Sequence, residues 1–282
     1  METTFQHLNF VIDHCGKTSQ YLDKKNLNSI QFFCIGLLER LSSSSLALRT
    51  LLEKINANQS LEYACGIILR STLLDALIVL NLYNILIDNE ASTKTDAEKE
   101  QIVKEFCDTL LSDGLENTLK YIKAAKDVNI ITQQQLADTY KNFVAARQIF
   151  FEPYANDGSM PVVKNKKYYS PTDLFKRIAN NPKLKELSKI YDSYLFFSKY
   201  DHFGILYYEV SRQKYIDQLE RISKGVELFI GTQSILHLAL RMYSGNDAFL
   251  NSQSDIAAQY LWDKILNPQP NQQGQATGGT IY

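Results

Sequence analysis

Along most of the chain, hydrophobic residues recur every three or four positions and polar residues occupy the positions between them. This period predicts amphipathic helices, each of which buries one face. Glycine and proline, which build the turns of β proteins, are scarce at 12 and 6 residues. We therefore predict an all-α fold, a multi-helix bundle of about eight to ten helices. The predicted helical segments are residues 3–25, 28–56, 61–87, 93–128, 132–154, 170–181, 182–203, 204–243 and 247–266.

One of these segments, residues 61–87, is apolar on nearly every side. In a water-soluble chain such a helix is usually the buried centre of its domain. It is also long enough to cross a membrane, but it carries Arg70, Asp75 and two asparagines, so we predict a core helix. Charges inside a core are costly unless they are paired. The rest of the chain must therefore supply partners for Arg70 and Asp75.

The two charges point in different directions, because residues five apart on a helix lie about 140° apart. We therefore expect Arg70 and Asp75 to have different partners. The best candidate partner is the segment 191–202, whose predicted helical face combines aromatic rings, hydroxyls and an imidazole that titrates near neutrality. We predict that this face packs on the central helix near one of the two charges, either as a buried network that fixes helix register or as a ligand or catalytic site. The face consists of Tyr191, Tyr194, Leu195, Ser198 and His202.

The pattern shows no internal repeat, and we predict one helical domain over residues 1–266. Breaks are expected at Gly16 and at Asp113–Gly114, and Ser42–Ser45 predicts either a close helix contact or a kink. Residues 153–170 contain prolines, a glycine and clustered lysines, which predicts an exposed loop that serves as a lid, a binding element or a linker. Residues 267–282 are rich in Gln, Gly and Pro, which predicts a disordered tail.

Charge and cysteine usage restrict the functional classes. The formal net charge is −1 and the isoelectric point is about 6.4, so no global positive field attracts nucleic acid or an acidic membrane. The four cysteines are widely spaced and form no CxxC pair, which predicts reduced thiols. The first residues lack the basic start and apolar run of a signal peptide. We expect a cytoplasmic protein without a membrane partner.

Sequence motifs of several enzyme classes are missing. The sequence contains no phosphate-binding GxxxxGK[ST] loop, no GxGxxG, no GxSxG and no HExxH. None of the four histidines follows a glutamate at the Glu-x-x-His spacing of di-iron bundles. We therefore predict no metal and no cofactor. His7 and His14 are expected at the surface or the edge of the core, and His237 at the edge of the core.

The segment Arg70–Asp75, RSTLLD, followed downstream by Tyr194 and by Ser198–His202, SKYDH, resembles a pattern of poorly characterised bacterial helical proteins that are similar to HEPN-domain proteins. The resemblance covers residues 30–245. It implies a helical bundle that binds or processes RNA or a nucleotide, in stress responses or phage defence, and that forms a homodimer. HEPN ribonucleases carry an Arg-x(4–6)-His motif on one helix, which this sequence lacks, so ribonuclease activity is not carried over.

The resemblance leaves two hypotheses for the same residues. In the first, Arg70 binds phosphate or stabilises negative charge and His202 transfers a proton, while Asp75, Tyr194 and Ser198 orient them. In the second, the chain is a non-catalytic helical scaffold or protein-interaction module, and these residues form a buried network. A solvent-connected pocket at Arg70 and His202 is expected only under the first hypothesis.

Overall fold

The computed structural model describes residues 1–23, 25–164, 169–198 and 215–268. These ranges form a multi-helix, all-α structure, which confirms the predicted fold class. Within them no residue belongs to a β-strand, and Phe151 and Val163 form an isolated antiparallel bridge. The described helices are α1 (Glu2–Leu22), α2 (Ser29–Leu52), α3 (Leu61–Glu90), α4 (Asp96–Asp127), α5 (Gln133–Ala145), α6 (Pro171–Ala179), α7 (Ile190–Ser198), α8 (Tyr215–Tyr243) and α9 (Ala248–Leu261).

Most helix starts follow from side chains that cap the first turn. Thr95 accepts a hydrogen bond from the backbone N–H of Glu98, whose carboxylate in turn accepts from the backbone N–H of Thr95 at 2.8 Å. Each such box satisfies backbone donors that have no partner inside the helix. The sequence predicts helix starts at Thr132, at Ser170 and at either Thr93 or Thr95, and the structure has caps at Thr132, Ser170 and Thr95. The same reciprocal arrangement is formed by Thr132 with Gln135 and by Ser170 with Asp173.

The breaks expected at Gly16 and Asp113–Gly114 are absent, because α1 and α4 run through them. Helix α2 runs through Ser42–Ser45, where of the two predicted alternatives the structure has the close helix contact: Ser42 Oγ donates to the backbone carbonyl of Ile12, 3.3 Å away, and Ser45 is buried. A glycine inside a helix costs only about 1 kcal/mol, so tertiary packing overrides it. Local composition alone therefore predicted breaks that the folded chain does not have.

The residues divide into two units. The first contains Met1–Lys24, Leu37–Ala76 and Asp192–Tyr282, and the second contains Lys25–Gly36 and Leu77–Tyr191. The divisions fall inside α2, α3 and α7 rather than in residues 153–170. The single domain expected over residues 1–266 stays a prediction.

Helix α3 covers the predicted central segment and extends it to Glu90. It supplies buried side chains to both units, including Leu69 and Leu73 in the first and Leu77 and Leu82 in the second. Among the described residues it is the one helix whose length and composition would allow a membrane crossing, and 56% of its most apolar 18-residue window is buried inside the protein. This burial is typical of a core helix.

The first part of the predicted loop, residues 153–164, is closed at its base. The backbone N–H of Glu152 donates to the carbonyl of Val162 at 2.9 Å, and that of Lys164 donates to the carbonyl of Phe150 at 2.8 Å. The helix that the sequence suggested up to residue 154 is shorter than expected: α5 stops at Ala145, and this backbone pairing lies beyond its end. Residues 165–168, and the predicted tail from residue 269 onward, lie outside the described residues.

Candidate functional site

Asp75 meets a partner that the sequence analysis did not identify. Its carboxylate accepts a hydrogen bond from Nε of Arg40 on α2, at 2.9 Å. The Asp75 side chain is 12% exposed and the Arg40 side chain 60% exposed. Burial raises the pKa of Asp75, and the Arg40 charge acts in the opposite direction. The pair therefore lies where the edge of the core meets solvent, with the carboxylate on the inner side.

Arg70 shares one stripe of α3 with residues three or four positions apart, namely Tyr63, Gly66, Leu73, Leu77 and Asn81. Gly66, Leu73 and Leu77 on that stripe are buried, and Arg70 itself is half-buried. The charged partner of Asp75 is Arg40 rather than Arg70, as the angular separation on the helix predicted. The two charges of the central helix thus do not pair with each other.

On α7, Tyr194 and Ser198 are placed differently. The Tyr194 side chain is buried. The hydroxyl of Ser198 donates to the backbone carbonyl of Leu195, 2.7 Å away in the same helix. A hydroxyl bonded back to its own helix has a local backbone partner. Leu195, which the predicted face also included, is 43% exposed.

Tyr191 belongs to the second unit and contacts α6. Its hydroxyl is 3.1 Å from Oγ1 of Thr172, and its ring stacks on Phe175 with centroids 4.4 Å apart. The predicted face on residues 191–202 is therefore divided between two sets of neighbours. Its first tyrosine contacts α6.

A second part of α7 does approach the central helix. A Cβ atom built on Gly225 of α8 would lie 2.8 Å from Leu69 Cδ2 and 3.8 Å from Phe197 Cε2. Leu69 precedes Arg70 and Phe197 precedes Ser198, so α3, α7 and α8 meet one residue away from two predicted site residues. His202 lies outside the described residues, and its contact with Arg70 stays a prediction.

The first unit also contains buried histidines. His237 on α8 is fully buried. Its Nδ1 is 2.8 Å from the carbonyl of Gln233, and its Nε2 is 2.9 Å from the hydroxyl of Thr18 on α1. A carbonyl only accepts, so Nδ1 donates and Nε2 accepts in the neutral ring. Burial, followed by the neighbouring His14, lowers the pKa of His237 to about 3.

His14 and His7 extend the same polar layer. The ring centroid of His14 lies 4.3 Å from that of His237. Burial lowers the pKa of His14 to about 4, although the Asp13 charge opposes this. Burial, and then the Lys264 charge, also lowers the pKa of His7, whose Nδ1 is 3.1 Å from the hydroxyl of Tyr260.

The core-edge position expected for His237 and the surface or core-edge position expected for His7 and His14 are wrong, because all three are buried. His7 and His14 are seven residues apart and share a helix face with Leu8, Val11 and Cys15. The hydrophobic pattern of α1 predicts a face that includes Phe5 and Ile12 as well as these three residues, but Phe5 and Ile12 are only half-buried. The 3.6-residue period contained the signal, and only the hydropathy assigned to histidine hid it.

These groups are suited to packing more than to chemistry near neutral pH. The three described histidines have lowered pKa values and are therefore neutral at pH 7. The cysteines are free and buried, and burial raises the pKa of Cys34 and Cys65 to about 12, which makes thiols unreactive. The described residues hold no group of three or more His, Cys, Asp or Glu side chains that could bind a metal ion.

Comparison with known proteins adds no relative. No protein-family model, no curated protein and no solved structure matches the chain. The similarity to HEPN-domain proteins therefore stays a prediction. Function has to be argued from the contacts of the residues themselves.

Proposed function

We propose that this chain is a non-catalytic helical scaffold or protein-interaction module, in which buried polar residues fix the packing of the helices. The observation that supports this proposal is the contact between Arg40 and Asp75. A carboxylate that orients catalytic groups must point at them, whereas Asp75 is held by an arginine of the neighbouring helix. Burial also raises the pKa of Asp75, because it disfavours the ionised form of a carboxylate that is placed for packing.

The proposed role of these contacts is specificity of packing rather than net stabilisation. A buried ion pair roughly offsets its desolvation cost, but a misaligned pair leaves a charge without compensation. Arg40 reaches Asp75 at 2.9 Å in this register of α2 against α3, and we expect a shifted register to lose the contact. His237 acts in the same way between α1 and α8, because one ring joins Thr18 and Gln233.

A second function is favoured by one observation. Helix α7 approaches α3 beside Arg70, where Phe197 and Leu69 lie next to Gly225. In this alternative Arg70 binds a phosphate of RNA or a nucleotide, and His202 transfers the proton. The chain would then be a HEPN-like protein that acts on nucleic acid, with a site assembled from two helices.

Two variants separate these functions. The scaffold proposal predicts that the purified protein does not cleave RNA, and that His202→Ala and Arg70→Ala change only the melting temperature. Removing one member of a buried charged network typically costs about 3–5 kcal/mol. The measurements are thermal unfolding and cleavage of a labelled RNA. Cleavage by the unmodified protein that His202→Ala removes at an unchanged melting temperature would establish the alternative and end the scaffold proposal.

A further inference from the structure

A pocket of about 410 Å³ opens in the second unit, between α5 and the chain that follows it. Its size is within the range of small-molecule sites, which are roughly 300–1,000 Å³. Part of its wall is apolar and comes from Val144, Phe151 and Tyr154. The polar residues of the lining are Lys141, Gln148, Glu152, Asn156 and Lys164.

The polar side chains of this lining make no hydrogen bond or ion pair with any residue in the described part of the chain. Five other lysines of the described residues, by contrast, bind carboxylates four residues away. Lys17 pairs with Asp13 at 2.6 Å, and Lys123 pairs with Asp127 at 2.8 Å. The ammonium groups of Lys141 and Lys164 are therefore available to a ligand.

The pocket wall is held by its backbone. Lys164 is half-buried, and its N–H is bonded to the carbonyl of Phe150, which fixes where the side chain begins. Asn156 has φ 56°, in the left-handed region that asparagine adopts more readily than most residues. The two lysines reach the pocket from separate parts of the chain, since Lys141 lies on α5 and Lys164 lies at the end of the segment 153–164.

We propose that this pocket binds a small organic anion, in which one phosphate or carboxylate group is attached to a flat apolar body. Lys141 and Lys164 bind the oxyanion by charge-assisted hydrogen bonds, and the half-buried ring of Tyr154 contacts the flat body. Glu152 adds one negative charge against the two positive charges, so the charged side chains of the lining leave a net positive charge for an anion.

This inference does not depend on the scaffold proposal, because none of the residues of the central helix lines the pocket. It assigns a ligand to the segment 153–164, for which the sequence suggested a lid, a binding element or a linker. Of these alternatives, the binding element agrees with the pocket.

The test is an amide NMR titration of the full chain with phenyl phosphate, benzoate, inorganic phosphate and benzyl alcohol. We expect saturable shifts at the pocket-lining residues with phenyl phosphate or benzoate, and the stronger of the two identifies the oxyanion. Inorganic phosphate and benzyl alcohol each lack one half of the ligand, so they should bind about tenfold more weakly. Lys164→Gln should weaken binding by about tenfold, whereas Lys17→Gln in the first unit should not change it.

Three results would overturn the proposal. The first is the absence of saturable shifts at the lining residues with either organic anion. The second is equal affinity in Lys164→Gln and the unmodified protein. The third is inorganic phosphate binding as tightly as phenyl phosphate, which would leave no role for the aromatic wall.

Discussion

His14 and His237 are imidazoles that the fold keeps neutral. Their rings lie side by side in the first unit, 4.3 Å apart between centroids. Protonation of either ring would place a charge in a buried site beside a second imidazole, and this is costly. The same residues in an unfolded chain would take up protons near the usual pKa of 6.5. The stability of the protein is therefore linked to pH through these two side chains.

We predict that acid destabilises the protein through this pair. The folded pKa values, about 4 for His14 and about 3 for His237, lie below the unfolded value. The contribution of the two histidines to the free energy of unfolding is therefore fully present above pH 6.5. It falls as the pH decreases toward 4, by up to about 1.4 kcal/mol per pH unit for each histidine. The measurement is urea unfolding at a series of pH values between 7 and 5.

The matched variant is His14→Phe, which keeps a flat ring beside His237 and removes one titrating group. It should reduce the slope of stability against pH by about one proton's contribution, roughly 1.4 kcal/mol per pH unit. An unchanged slope in His14→Phe would show that the ring is not responsible for the acid sensitivity.

At the scale of elements, α8 comes unusually close to α3 at Gly225. A side chain at this position would overlap Leu69, whereas one at Gly231, six residues later in the same helix, would meet nothing within 4 Å. Leu69 is fully buried, so it has little room to move. The close approach of the helices therefore requires glycine at one position and not at the other.

Alanine substitutions at the two glycines should have different effects on stability. Gly231→Ala gains helix propensity and should stabilise the protein by about 0.5–1 kcal/mol. Gly225→Ala gains the same propensity but strains the contact with Leu69, at a cost of about 1–3 kcal/mol, so it should be neutral or destabilising. Chemical unfolding of both variants measures the difference, and equal stabilisation would argue against the close contact.

Much at this scale could be predicted from the sequence. The 3.6-residue period located the helices, and the capping residues Thr95, Thr132 and Ser170 marked where they begin, because both signals are local. The partner of Asp75 could not be predicted, since Arg40 is 35 residues away and many arginines could have met the carboxylate. The histidine face was missed because burial of an imidazole depends on partners such as Thr18, which are brought close only by folding.

At the scale of the whole molecule, ionisable side chains lie inside the core or at its edge. The Arg40–Asp75 pair, the buried histidines and the four buried thiols are ionisable groups of this kind. The Arg40–Asp75 pair joins α2 to α3, and the contact between His237 and Thr18 joins α8 to α1. The helical scaffold we propose would use these groups for the choice of one packing arrangement, and its ligand or partner would bind elsewhere.

The most direct test of this account is a double-mutant cycle for Arg40→Ala and Asp75→Ala, measured by the free energy of unfolding at pH 7. We expect a coupling energy of about 1–2 kcal/mol, which is within the range for contacting residues and is reduced by the exposure of Arg40. The control is the surface pair Arg49–Glu53, which also lies in the first unit and has a 3.1 Å contact. This pair should couple by no more than about 0.5 kcal/mol. A coupling for Arg40 and Asp75 no larger than the control would contradict the claim that this pair fixes the packing of α2 and α3.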